Sequence, residues 1–159
     1  DCPNAAAAAL PGLTQVLGRM FHIKAACESD FEEICSWLEQ EKLEDFSGFY
    51  FKKDELAESL AAGEMFCGTL NGSAIAFATF SIKSSGYVDI MEVSPSQRRR
   101  GYGRQLALFT INHLIESGMD SIYVTCAPRS SESFWRSMGF VTHTAYAHEH
   151  PRLVLRSAP

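Results

Sequence analysis

The stretch SPSQRRRGYGRQL, residues 94–106, decides how this chain is read. Three consecutive arginines, Arg98, Arg99 and Arg100, run into Gly101-Tyr102-Gly103, and a helical pattern begins at once. Such a run fits three roles: a solvated basic turn, a nucleic-acid contact, or a cradle for phosphate oxygens. Its surroundings choose among them. YVDIMEV (87–93) reads as a strand, and Leu106, Phe109, Thr110, His113 and Leu114 keep a helical period behind the glycines. The order is therefore strand, glycine turn, helix. A helix start presents free backbone amides and a partial positive charge. Glycines let the backbone approach a ligand closely, and arginines add fork-shaped bonds to phosphate oxygens. Two common phosphate motifs are excluded. Leu106 stands where G-x-G-x-x-G needs its third glycine, and there is no G-x-x-x-x-G-K-[ST].

The whole chain sets the limits. Its 159 residues suit one domain with a hydrophobic core. Net charge is −5, whereas a dedicated duplex-binding domain usually carries a basic excess. The five cysteines are odd in number and form no C-x-x-C, which points to a reduced compartment rather than a disulfide framework or a zinc site. No apolar run approaches the roughly 18 residues needed to span a bilayer. Residues 1–19 read as an N-terminal extension, with Ala5–Ala9 helical, Pro11-Gly12 as a stop, and Met20 as a natural start. Residues 20–159 read as one domain, and the expected location is cytoplasmic, with neither membrane nor nucleic acid as partner.

Working outward, MFHIKAA (20–26) predicts a strand, and Ser29-Asp30-Phe31-Glu32 matches a capping box ahead of a helix. A second helix is predicted from about Asp54 to Gly63. Residues 64–83 read as a hairpin turning on Asn71-Gly72. Gly118 caps the helix after the query stretch, SIYVTCA (121–127) is a buried strand, ESFWRSM a short helix, and the remainder a closing pair of strands.

Val93, Pro95, Arg98, Gly101 and Gly103 satisfy V-x-P-x-x-[RQ]-x-x-G-x-[GA]. This resembles the acetyl-CoA-binding motif of the GCN5-related N-acetyltransferases. Downstream, SFWRSMGF (133–140) resembles that family's F-[YW]-x-x-x-G-F element, and the element order from residue 20 onward follows its plan. The resemblance implies a single-domain α/β acyl-CoA N-acyltransferase fold. That is a mixed, mostly antiparallel sheet of about six to seven strands, flanked by about four helices, with a splayed central parallel pair. It also implies acetyl-CoA as acetyl donor, held by Met91, Val93, Arg98, Arg99, Arg100, Gly101, Tyr102, Gly103, Arg104, Phe134 and Trp135. The amides of 99–104 would take the pyrophosphate, and the pantetheine arm would lie between the strands of 91–93 and 123–125. The amide of Val93 would polarise the thioester carbonyl.

Acetyl transfer to an amine needs a proton acceptor. Asp89 and Glu92 are the candidates, each equally readable as a surface charge or a magnet for a cation. Strict alternation puts them on opposite faces, and a bulge between them would bring them to one side. The sequence departs from the family pattern twice. Trp135 stands where a tyrosine often serves as acid, leaving Tyr123, Tyr146, Ser133 and Cys126 to be weighed for that role. Pro128 stands where an asparagine often faces the cofactor. Phe46, Phe49, Tyr50 and Phe51 fall where the family commonly lines its acceptor site, and read equally as core. His148-Glu149-His150 could suggest a metal but reads first as a solvated loop. The acceptor is a small-molecule or peptide amine, and the protein a monomer or homodimer. The rival readings are a catalytically inactive acyl-CoA-binding module and a nucleic-acid or phosphate binder using the arginine run.

Overall fold

The computed structural model describes residues 20–45, 48–143 and 150–157. Residues 1–19, Phe46, Tyr146, His148 and Glu149 lie outside them, with the expectations placed on those residues. The first strand is β1 (Phe21–Ala25), followed by α1 (Glu28–Asp45) and α2 (Lys53–Ala61). The capping box sits earlier than Ser29. The carboxylate of Asp30 accepts the Cys27 backbone N–H at 2.9 Å and is itself held by Lys24 at 2.6 Å. Asp30 does better than Glu32 because it reaches back over the exposed amides while nearly buried.

A meander follows: β2 (Met65–Leu70), β3 (Ser73–Ile82) and β4 (Gly86–Val93). Asn71 and Gly72 turn the hairpin at φ 52° and 84°, as the Asn-Gly pair predicts. Then come α3 (Tyr102–Glu116), β5 (Ser121–Thr125), α4 (Glu132–Ser137), β6 (Val141–Thr142) and β7 (Arg152–Arg156). Among the described residues seven strands make one sheet in the order β1-β2-β3-β4-β5-β7-β6. All pairs are antiparallel except β4 with β5.

Apolar residues on the two sides of the sheet build two cores. Leu106, Ala107, Ile111 and Leu114 of α3 and Trp135 of α4 pack with Phe66, Ala78, Val88 and Val124. Phe31, Ile34, Cys35 and Leu38 of α1 and Leu56 of α2 pack with Met65, Cys67 and Phe77. Side-chain bonds also fasten α1 to β3: Trp37 Nε1 donates to the Ala74 carbonyl at 3.1 Å, and Glu33 accepts the Ala74 N–H at 2.9 Å. No helix among the described residues is long and apolar enough to cross a membrane.

The parallel pair is brief. Its register runs from Gly86 opposite Ile122 to Val88 opposite Val124 and stops there. The stop coincides with a bulge in the β3–β4 ladder, where Thr79 faces Ile90 but Phe80 faces Val88, leaving Asp89 unpaired. The Thr79 hydroxyl accepts the Ile90 N–H at 3.1 Å and stitches the irregularity. Beyond it β4 and β5 separate, and everything that concerns function lies around that gap.

Candidate active site

The glycine turn at one side of the gap is built as the sequence implied. Gly101 precedes α3 with φ 83° and ψ 1°, a left-handed conformation that a side chain resists. Arg99 also has positive φ, at 63°. No side chain caps the helix, and its first internal bond runs from the Gln105 N–H to the Gly101 carbonyl at 3.2 Å. The amides of Tyr102, Gly103 and Arg104 therefore have no acceptor within the helix. The Tyr102 ring packs on Phe21 with centroids 4.7 Å apart, so only the backbone of Tyr102 belongs to the turn. A Cβ at Gly103 would stand 3.5 Å from Val93 Cγ2, so glycine keeps this passage between helix and strand open.

Along the gap, the donors follow from strand alternation. The amides of Ile90 and Ser94 both point to β3, to the Thr79 hydroxyl and to the Ile75 carbonyl at 2.7 Å. With register unbroken from Ile90 to Val93, the amides of Met91 and Val93 face the opposite way, into the gap. A cavity of about 730 Å³ opens there, lined by Met91, Glu92, Val93, Arg99, Gly103, Pro128, Ser131 and Phe134. A narrow space of about 90 Å³ between Met91, Thr125, Phe134 and Trp135 continues it through the sheet. A second groove of about 650 Å³ lies beyond, walled by Glu55, Glu58, Glu64, Lys83 and Asp89. Phe49 and Ala127 line all three spaces, so the gap is open on two faces.

The arginines divide. Arg98 turns inward: its Nη2 lies 2.6 Å from Glu41 Oε1 and 2.9 Å from Glu92 Oε1, and its Nε donates to the Val93 carbonyl at 2.9 Å. Its guanidinium thus serves two carboxylates, not the glycine turn to which the sequence reading gave it. Arg99 and Arg100 are exposed, and only Arg99 lines the large cavity. Arg104 reaches Ser137 of α4, 3.5 Å away.

Asp89 and Glu92 do not come together. The bulge falls on Asp89 itself rather than between the two, so alternation is strict from Ile90 onward. Glu92 faces the first cavity and is nearly buried, whereas Asp89 lies at the surface of the second groove. Burial, then hydrogen bonding and repulsion from Glu41, push the Glu92 carboxyl up to about 8, with Arg98 pulling the other way. Desolvation raises Asp89 too, opposed by Ser81 and Lys83.

Other candidates find different places. Trp135 is buried in the core against Phe134 and Phe140, its ring touching only the narrow part of the gap. The Tyr123 ring sits between Tyr87 and His143, on the face opposite Val124, away from the gap. Ser133 faces a separate surface hollow with Arg129 and Arg136. Cys126 is fully buried, and desolvation raises its thiol. Tyr50 and Phe51 pack around Lys42 instead of lining the gap. Sequence reasoning missed Glu41, Gly48 and Ser131, and placed His150 in a solvated loop; all four line the large cavity. Glu41 gave no signal, being one of several acidic residues at the charged end of α1.

Comparison with known proteins agrees with this geometry. The model of the Acetyltransferase (GNAT) family matches residues 28–140. No curated protein matches. Among solved structures, a PaiA N-acetyltransferase from Thermoplasma acidophilum in complex with coenzyme A superposes with TM-score 0.71 at 12% identity, covering 87% of this chain and 99% of that one. The ribosomal-protein-S18-alanine N-acetyltransferase from Escherichia coli gives TM-score 0.69 at 21% identity, covering 86% and 94%. A GNAT family acetyltransferase from Brucella melitensis in complex with acetyl-CoA gives 0.69 at 16%, covering 89% and 90%. At these identities the structures speak for the fold, while the family model spans most of the chain. The splayed parallel pair, the uncapped glycine-led helix and the matched sequence model agree: this chain belongs to the GNAT acetyltransferase family.

Proposed function

We propose that this chain transfers the acetyl group of acetyl-CoA to a primary amine by direct attack. One observation carries the reading: α3 starts with three amides that have no acceptor within the helix, and Gly103 among them lines a cavity that runs into the gap between β4 and β5. The group fits the residues present. The amides of Tyr102, Gly103 and Arg104, with the side chain of Arg99, would hold the pyrophosphate. The amides of Met91 and Val93 would hold the arm, with Phe134 and Pro128 as apolar walls. Bound there, acetyl-CoA supplies an activated acetyl thioester. The Val93 amide would polarise its carbonyl, and the field of a preorganised donor in a dry gap is where such catalysis gains most. Glu92, next in sequence and raised toward neutrality, is matched to accept the amine's proton. Asp89, in the outer groove, would attract a cationic acceptor.

A binding module without catalysis is the second reading, supported by Trp135, whose indole cannot act as an acid and which is buried. Two measurements decide. Acetyl-CoA should raise the melting temperature, since a ligand selective for the folded state stabilises it by mass action. A panel of primary amines should then release free coenzyme A thiol. A thermal shift with no release by any amine supports the binding module, and no shift at all removes both readings.

A further inference from the structure

Glu41 and Glu92 form a buried pair of carboxylates clamped by Arg98, whose side chain is 43% exposed, and the charges do not balance. Glu41 comes from the end of α1, Glu92 from β4 and Arg98 from the turn after β4. One guanidinium nitrogen serves both carboxylates, whose side chains are only 3% and 8% exposed. The other oxygens, Glu41 Oε2 and Glu92 Oε2, are buried without a hydrogen-bond partner among the described residues. Gly48 closes over the pair in a left-handed conformation, so tightly that a Cβ there would stand 2.5 Å from Glu41 Oε2. Two carboxylates and one guanidinium leave one excess negative charge, and an uncompensated buried charge is costly. A proton or a cation removes it.

We propose that Glu41 is a positioning carboxyl for Glu92: under the clamp of Arg98 the two share one proton when the site is empty, and the ammonium of a primary amine that meets Glu92 from the cavity displaces that proton and then gives its own to the pair. This rests on the acetyltransferase reading. The rise of the Glu92 carboxyl to about 8 agrees with it, because Glu41 is its second and third cause after burial. Among the described residues, the other charged or titratable groups facing this cavity are Arg99 and His150, both exposed. The steps balance. The ammonium gives one proton to the ionised pair. The neutral nitrogen attacks the thioester carbonyl carbon, the C–N bond forms and the C–S bond breaks. The nitrogen's second proton leaves with the sulfur as coenzyme A thiol, and the pair returns its proton to water. A single ammonium cancels the excess charge, and Phe49 lines the cavity with apolar surface. The acceptor class is therefore an amine with one charge and apolar carbons next to it.

The test is an infrared titration of the protonated-carboxyl band on the full chain, with n-butylammonium chloride as probe. Wild type should show a buried protonated carboxyl at neutral pH that ionises near 8. Glu41→Gln should lower that midpoint by about 1–3 units, since Arg98 then faces one carboxylate. Saturating n-butylammonium should release the proton at neutral pH. Absence of a protonated carboxyl in wild type overturns the proposal whether or not the variant folds, as does a midpoint unmoved in Glu41→Gln or a band indifferent to the amine. The acetyl-CoA thermal shift, read on the same samples, is expected in both proteins. Its absence in wild type would sink the acetyltransferase reading separately.

Discussion

The two sides of the β4 end, both within one cavity, are built from different materials. Toward α3 the walls are backbone amides, glycines and apolar side chains, and among the described residues the charge lining that side is Arg99 at the rim. Toward α1 they are the buried carboxylates Glu41 and Glu92 with Arg98 between them. A site made of backbone donors tolerates many side chains but depends on two glycines. A site made of buried charges depends on each side chain and is sensitive to pH. On the proposed function, changes on the first side should act on cofactor affinity, and changes on the second on proton chemistry.

The largest expected effect is on the charged side. Glu92→Gln should lower kcat by about 10²–10⁴-fold, the range for a positioned base, with little change in the KM for acetyl-CoA. In wild type kcat/KM should rise with pH through about 8, where the Glu92 carboxyl ionises, and the variant should lack that limb. Stability should move oppositely. The folded protein holds the Glu92 proton more tightly than the unfolded chain does, so this contribution is complete below about 4.5 and lost as pH rises through about 8. Melting curves across that window should fall in wild type and flatten in Glu92→Gln. An unchanged pH profile with a raised amine KM would reduce Glu92 to a cation magnet.

Next comes Gly103→Val. Its first added carbon meets only Val93 at ordinary contact distance, so the domain should fold. Filling the passage should cost acetyl-CoA affinity about 3 kcal/mol or more, the worth of two charge-assisted bonds. Unaltered binding by calorimetry would break the assignment of this side to the cofactor.

The arginines sharpen the contrast further. Arg99→Ala should weaken acetyl-CoA by about 1.5–3 kcal/mol if it bonds phosphate directly, and Arg100→Ala and Arg104→Ala by less. Three equal small losses would instead indicate a diffuse field. The smallest effect is Gly101→Ala. Open space surrounds a Cβ there, so the cost is the left-handed conformation alone, about 1–2 kcal/mol of stability by denaturant titration. A larger loss would mean that the turn is held by more than its backbone angle.

How much of this was legible follows from the same division. The motif from Val93 to Gly103 is contiguous, and its parts work through local backbone geometry, so strand, turn and helix start could all be located in the sequence. Asn71-Gly72 and Gly118 were equally plain, because positive φ has a short list of tolerant residues. The capping carboxylate is Asp30 rather than Glu32, and the capped amide Cys27 rather than Ser29, because Lys24, on the neighbouring strand, fixes which carboxylate turns back over the helix. The bulge was anticipated but not its position. It falls on Asp89 because the Thr79 hydroxyl, on another strand, takes the Ile90 amide.

By itself the sequence determined the order of elements, the glycine-led helix start and the family to which they belong, since each depends on residues near one another in the chain and on backbone rules that hold anywhere. Only the tertiary structure decided what Arg98 does. It stands in the phosphate motif, yet its guanidinium meets Glu41, 57 positions away. The physical reason is burial: Glu41 is one acidic side chain among several in α1 until packing against β4 removes it from water, and a carboxylate without water seeks the nearest cation.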